Sequence, residues 1–497
     1  MHGITPIASR MLPAAIASSV RRAPSVGARH PLLTGVAAIG LALGGIDPVA
    51  ANVFTVTANG DPGTGSLSLR QAIAMARTGS GNVVDFDAAL IGSTITLTQG
   101  ELVVDKSMAI IGPGADKLTI SGGNASSVFN LSTVVTSNFP NVTIANLAIT
   151  GGLGSPSRSL KGAAIYVFDE ALVLQNSVIS GSSSCFSAIS IEVFQRAVAA
   201  STVTDSIIRD NGCRGLETSS SHLSITDSII SGNTSAGPGA GIATSKYSAV
   251  NISRSTISGN VASGRGGGIS APYGAALSIE SSRITGNISG QSGGAIYLGN
   301  EPGYSAGTLT LDRTTISGNS AAINGSGIAV NHPGSVAVRQ SLISGNLSSN
   351  AQAGGAGGGL SLQAVTGQTS IENSTFHANY AGYGGGIAIL DAATGDHVRI
   401  TNSTITGNAT PAYDQSNGIL GMGQPTLYSC IVANNVNRGG TNEDMAGDFV
   451  VKYSLIKNPV GATMTGVFNI TGADPQLGPL ADNGGPTLTM LPTVTSP

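Results

Sequence analysis

Across 497 residues the chain carries 70 glycines, no tryptophan, 10% charged residues and a formal net charge of −3. A helical enzyme would hold more Lys, Glu and Leu, and a disordered chain more charge. Nucleic acid or an anionic membrane surface would call for basic patches, and the sequence has none.

At the N-terminus, Arg21, Arg22 and Arg29 precede an apolar stretch at 31–46, and Val49, Ala50 and Ala51 offer small residues suited to signal cleavage. The stretch is short for a bilayer span. Residues 1–51 are therefore read as an export leader, against the competing reading of a buried helix. The mature chain is expected to be secreted or at the cell surface, with no membrane span.

Residues 52–110 read as an N-terminal cap followed by the first strands. Within them, residues 68–77 put Leu69, Ile73 and Ala76 on one helical face, with Ser68 as the N-cap. This helix is expected to be the lid of the first coil, because an open coil exposes unpaired strand.

Residues 111–440 are dominated by a repeat. Ser-x-Ile-Ser/Thr-Gly-Asn recurs at 228–233, 255–260, 314–319, 341–346 and 403–408, and weaker copies end at Asn211, Asn287, Asn379 and Asn434. The interval is roughly 22 to 33 residues, which signals a solenoid. Each interval holds two more apolar segments. One follows a glycine cluster, as at 266–269, and the other alternates apolar and polar residues, as at Leu277 and Ile279. Alternation of period two means strand. Three short strands separated by Gly, Asn and Ser make a triangular coil, and stacked coils bury the Ile and Val that a lone coil could not. The expected fold is all-β, a right-handed parallel β-helix solenoid with a short N-terminal capping helix.

Cys185 and Cys213 stand about one coil apart, so stacking at roughly 4.8 Å would bring them within disulfide reach. That bond is expected in an oxidising compartment, and Cys430 is read as a buried free thiol. No cysteine falls in a CxxC pair. Residues 441–497 break the repeat with Pro and Gly from Asp474 onward and read as a C-terminal cap.

These residues resemble bacterial secreted β-helix proteins. Residues 65–73, 94–97, 100–102 and 111–116 resemble the start of that family, whose lid carries a Cys-Ser-Leu-Arg-Glu motif. Here residues 67–71 lack the Cys and put Gln71 in place of the Glu. Residues 474–480 and 482–487 resemble the family's C-terminal choice-of-anchor region, without the Gly-Ser-Pro-Ala-Ile-Asp phrase that usually comes next. The middle resembles the passenger repeats of polymorphic outer-membrane proteins, through the phrases at 293–296 and 376–379, although no barrel of alternating strands comes after it. The resemblance implies a secreted or surface location and no single catalytic activity.

Several patterns bear on chemistry. Residues 290–294 match G-x-S-x-G but sit in a glycine corner with no helix after it, against what a nucleophile elbow needs. The histidines lack metal-ligand spacing, so no metal is expected. Sequons such as 373–375 fall inside the repeat, where stacking explains the Asn better than glycosylation does. Aligned on Ser-x-Ile, the preceding residue runs Asp205, Asp227, Arg254, Ser281, Arg313, Gln340, Asn373 and Asn402, beside a column of Glu280, Asp312, Arg339 and Glu372. Asp205, Arg209, Asp210, Asp227 and Arg254 form the densest charge cluster and are the candidate catalytic residues of a polysaccharide lyase or hydrolase, chemistry that needs paired acids, or Ca²⁺ in the lyase case. The competing reading is a solvated face with mildly favourable opposite charges. Five tyrosines, Tyr247, Tyr273, Tyr297, Tyr304 and Tyr383, look too scattered for an aromatic platform.

The leading expectation is a non-catalytic, monomeric scaffold without cofactor, whose long face contacts a polysaccharide or a host or cell-surface macromolecule. The alternatives are a polysaccharide lyase or glycoside hydrolase, and a structural spacer of a surface assembly.

Overall fold

The computed structural model describes residues 52–497 apart from 63–64, 78–80, 133–139, 195–199, 300, 302–303, 352–353, 393–396, 412–415 and 438–442. The expected leader, residues 1–51, lies outside the described residues. From Asn52 onward the chain is a right-handed parallel β-helix, and among the described residues no helix is long and apolar enough to cross a membrane.

Each coil contributes to three ladders of parallel strands. Ladder I runs through Ile165–Phe168, Ser187–Glu192, Arg214–Ser219, Ile242–Ser245, Ile269–Ala271 and Ile296–Leu298. Ladder II runs beside it through Ser201–Thr204, His222–Thr226, Ala249–Ser253 and Ala276–Glu280. The eight-residue strand Met445–Lys452 pairs with both ladders and joins them into one 28-stranded sheet. Ladder III is a 15-stranded sheet containing Ile207–Arg209, Ile229–Ser231 and Thr256–Ser258. The triangular coil needs one amendment. From Thr234–Ser235 to Leu347–Ser348 a fourth, two-residue strand comes after the Asn corner and forms a 5-stranded sheet.

Inward columns of aliphatic residues, such as Ile189, Leu216, Ile242, Ile269 and Ile296, are fully buried in one continuous core. The recurring phrase is the other half of the design. Asn233 Nδ2 donates to Asn260 Oδ1 (3.0 Å), Asn260 to Asn287 (2.9 Å), and the chain of bonds continues to Asn408, Asn435 and finally Asp444. The last Asn of the ladder is Asn435, not Asn434. Asn434 takes the preceding glycine position with φ 60°, a left-handed conformation that Asn tolerates. A parallel column of serines, including Ser228, Ser255 and Ser282, accepts from each preceding backbone N–H at 3.1 Å. Cys430 occupies this serine column. Its backbone N–H donates to Ser454 Oγ (3.0 Å), its buried thiol donates to the Ile400 carbonyl, and burial pushes that thiol up to about 11. Cys185 and Cys213 are joined by a disulfide with Cα atoms 5.5 Å apart.

Helix α1, Leu69–Met75, closes the first coil. Ser68 Oγ accepts from Gln71 N–H and the Gln71 side chain accepts from Ser68 N–H, so Gln completes the capping box that the motif's Glu would make. Arg70 bonds both oxygens of buried Asp61 (2.7 and 2.8 Å) and the carbonyls of Gly100 and Glu101, fastening the lid to the coil beneath. At the other end the expected seal takes a different form. Residues 477–492 close a hairpin that reaches back alongside earlier coils, where Thr487 Oγ1 donates to the Gln340 carbonyl (3.1 Å), while Phe468 and Ile470 in the last coil stay 73% and 42% exposed. Pro and Gly end the parallel pairing there and let the chain double back.

Candidate functional site

Of the charge cluster singled out in the sequence, Asp205, Asp227 and Arg254 lie at the corner between ladders II and III, whereas Arg209 ends a ladder III strand and Asp210 lies at the corner after it. Asp205, Asp227, Arg254, Ser281, Arg313, Gln340, Asn373 and Asn402 all have φ between 47° and 50°. The column is thus a stack of left-handed turn positions. Asp210 (φ 53°) fills the glycine position of its own coil. Asp227 and Arg254 are brought together in a two-bond pair (2.9 and 2.7 Å), and Arg209 pairs with Asp210 (2.7 Å). All four side chains are exposed, from 39% to 62%. The Arg254 pairing holds the Asp227 carboxyl below the usual carboxylate range. The neighbouring column neutralises itself as well, through Arg313 with Glu280 and Asp312, and Arg339 with Glu372 (3.7 Å).

The outer face of ladder I is different. Alternation sends Tyr166, Ser190, Glu217, Ala243, Ser270 and Tyr297 outward in successive registered positions. Outward residues of a solvated sheet would be exposed, yet Ser190, Glu217, Ser270 and Tyr297 are buried. Neighbouring segments therefore cover this face, as Phe186 and the Pro238 carbonyl cover Arg214. Small residues in the glycine corner allow the close approach on one side. A Cβ at Gly264 would stand 2.8 Å from Pro238 N.

Four ion pairs lie on this side of the coils. Glu101 holds Arg158 (Nη1–Oε1 2.7 Å), and although burial works against it, the Arg158 hydrogen bonds and charge keep the Glu101 carboxyl below its ordinary range. Lys161 pairs with Glu192 (2.5 Å), Arg214 with Glu217 (3.6 Å) and Arg265 with Glu301 (3.0 Å). Burial raises the Glu217 carboxyl, more than the charges of Arg214 and Lys161 lower it, and Glu192 adds to the rise. Glu217 Oε2 is buried with no hydrogen-bond partner among the described residues.

Three of the guanidinium groups lie over aromatic rings. The Arg158 Cζ is 4.8 Å from the Tyr166 centroid, Arg214 is 3.8 Å from Phe186, and Arg265 is 4.9 Å from Tyr297. Beside Arg265 opens a cleft of about 340 Å³, lined in part by Pro238, Ser270, Tyr273, Gln291 and Glu301. At its rim the Tyr273 ring is 5.0 Å from Tyr304, which is 5.7 Å from Tyr247. Three of the five tyrosines that looked scattered in the sequence are therefore assembled, because residues from three coils meet where their loops converge. Sequence reasoning missed Arg214, Glu217 and Arg265 as well. The one signal for the first two was the placing of Arg214 and Glu217 in a strand whose registered neighbours Ser187, Ser190 and Ala243 are small and uncharged.

No curated protein matches the sequence. Among solved structures, the catalytic unit of a thermostable GH87 alpha-1,3-glucanase from Streptomyces thermodiastaticus strain HF3-3 is 16% identical with a TM-score of 0.42, over 86% of this chain and 72% of that one. Pectate lyase Pel9A is 13% identical with a TM-score of 0.28, over 86% and 80%. The bacteriophage CBA120 tailspike protein 3 is 12% identical with a TM-score of 0.33, over 81% and 57%. The family model described as right handed beta helix region matches residues 240–437, and over that stretch the chain is similar to that family.

Proposed function

We propose that this chain is an exported, non-catalytic scaffold that binds a polysaccharide at the cleft beside Arg265. The observation that carries this reading is the cleft at Arg265 with three tyrosines clustered at its rim. Ring faces suit the C–H side of a sugar, while planar guanidinium, carboxylate and amide groups suit its hydroxyls. Retention of the full chain on a panel of immobilised polysaccharides tests it. Tyr304→Ala is expected to lose most of that retention, and a chain that no polysaccharide retains would end the proposal.

A second reading, hydrolysis of the bound chain, is favoured by one observation. Glu192 and Glu217 sit on adjacent strands, offset by two residues in register, which puts their Cα atoms roughly 8 Å apart. Glu217 is raised by burial, whereas Glu192 is held by Lys161. A carboxyl raised by burial beside a second carboxylate is an arrangement that acid and base roles can use. Release of reducing ends by the full chain, abolished in Glu217→Gln, would favour this reading. Retention without release would favour the scaffold.

A further inference from the structure

Arg265 differs from Arg70 and Arg254 in which of its nitrogens the protein uses. Arg70 and Arg254 each grip a carboxylate with Nε and Nη2, the two donors along one edge of the guanidinium. In Arg265 both protein acceptors fall on Nη1, which donates to Tyr297 Oη and to Glu301 Oε1, each at 3.0 Å. Its Nε and Nη2 make no hydrogen bond among the described residues. The side chains of Arg265 and Glu301 are 43% and 40% exposed, and both line the cleft. The guanidinium lies over the Tyr297 ring, 4.9 Å from its centroid, and the Tyr297 hydroxyl holds Nη1. The open edge therefore has a fixed plane before a ligand arrives.

Resting on the polysaccharide-binding reading, we infer that the cleft recognises one sugar residue of its ligand by a pair of adjacent hydroxyls, whose oxygens both accept from the open edge of Arg265. A hydroxyl also has a proton to give, and the Glu301 carboxylate and the Gln291 amide in the same cleft supply acceptors for it. A sugar carboxylate fits the same edge, but it has no proton to give and brings a like charge close to Glu301. The cleft, at about 340 Å³, is at the small end of ligand pockets, which run roughly 300–1,000 Å³. That volume suits one recognised residue and not a long bound stretch.

Retention of the full chain on immobilised linear mannan and amorphous cellulose, whose residues carry adjacent free hydroxyls, tests the inference. The comparisons are curdlan, whose inner residues carry no adjacent pair, and polygalacturonate as the charged counterpart. Retention is expected on mannan or cellulose, undiminished by salt, and lost after periodate oxidation, which cleaves the bond between carbons bearing adjacent hydroxyls. Arg265→Lys keeps the charge but not the two-donor edge, and should weaken retention about tenfold. Equal retention on curdlan or binding that survives periodate would overturn the inference, and so would tighter binding to polygalacturonate that salt abolishes. Retention lost in Tyr304→Ala but unchanged in Arg265→Lys would overturn it too, and leave the polysaccharide reading standing. A chain that none of these polymers retains would remove that reading itself.

Discussion

Arg214 lies over the ring of Phe186, 3.8 Å from its centroid, and the residue before each of them belongs to the same disulfide, Cys213 to Cys185. The covalent link therefore ties together two adjacent coils beside the Arg214–Glu217 pair. Arg214 Nε also donates to the Pro238 carbonyl (2.8 Å), so the next loop is held to the same guanidinium.

Reduction of that disulfide should lower stability by about 3 kcal/mol, the effect expected for a cross-link closing a loop of this size. The cysteines are 28 residues apart in sequence. Urea unfolding with and without reductant measures the difference. A Cys185→Ser, Cys213→Ser variant should match the reduced protein and ignore reductant, and a midpoint unchanged by either treatment would contradict the expectation.

The Asn ladder is predicted to be the most sensitive polar feature. Asn319→Ala would orphan two donors of Asn287, its backbone N–H and its Nδ2, both now bonded to Asn319 Oδ1 at 3.0 Å. At about 1–3 kcal/mol for each buried orphan, the loss should reach about 3 kcal/mol or more. Asn319→Asp keeps the acceptor and removes the donor, so it should also destabilise, as thermal unfolding would report.

Cys430→Ser is expected to change stability by no more than about 1 kcal/mol, since a hydroxyl already fills the equivalent position in neighbouring coils. The native thiol, buried and pushed up to about 11, should react with a thiol reagent only on unfolding. Rapid labelling of the folded protein at neutral pH would refute the placement.

Arg70→Lys should loosen the lid. A single ammonium cannot reproduce the two bonds to Asp61 together with those to Gly100 and Glu101. A loss of about 3 kcal/mol is expected from weakening this largely buried pair. Limited proteolysis should then cut first within the N-terminal coil.

Glu170 predicts a pH dependence. It is buried, neither carboxylate oxygen has a partner among the described residues, and burial, with Asp105 and Asp169 adding to it, pushes it up to about 8 from 4.5. The folded state therefore binds more protons than the unfolded state in that interval, so this group's contribution falls as pH rises from about 4.5 to 8 and levels off above. Glu170→Gln should flatten the decline, and an identical profile in the variant would remove Glu170 as its source.

The solenoid, its lid and its corners were legible in the sequence because each obeys local rules. A strand alternates with period two, Ser68 caps the turn of helix directly after it, and an Asn repeated once per coil must stack on itself. The leading charge cluster was legible as a column but not as a site. Four of its five members sit in left-handed turns, and sequence spacing says nothing about exposure. The cleft beside Arg265 was decided by tertiary structure alone, and its rim joins Tyr247, Tyr273 and Tyr304 from loops far apart in sequence. Such neighbours meet through the winding of the backbone, which sets distance across coils where the sequence records only distance along the chain.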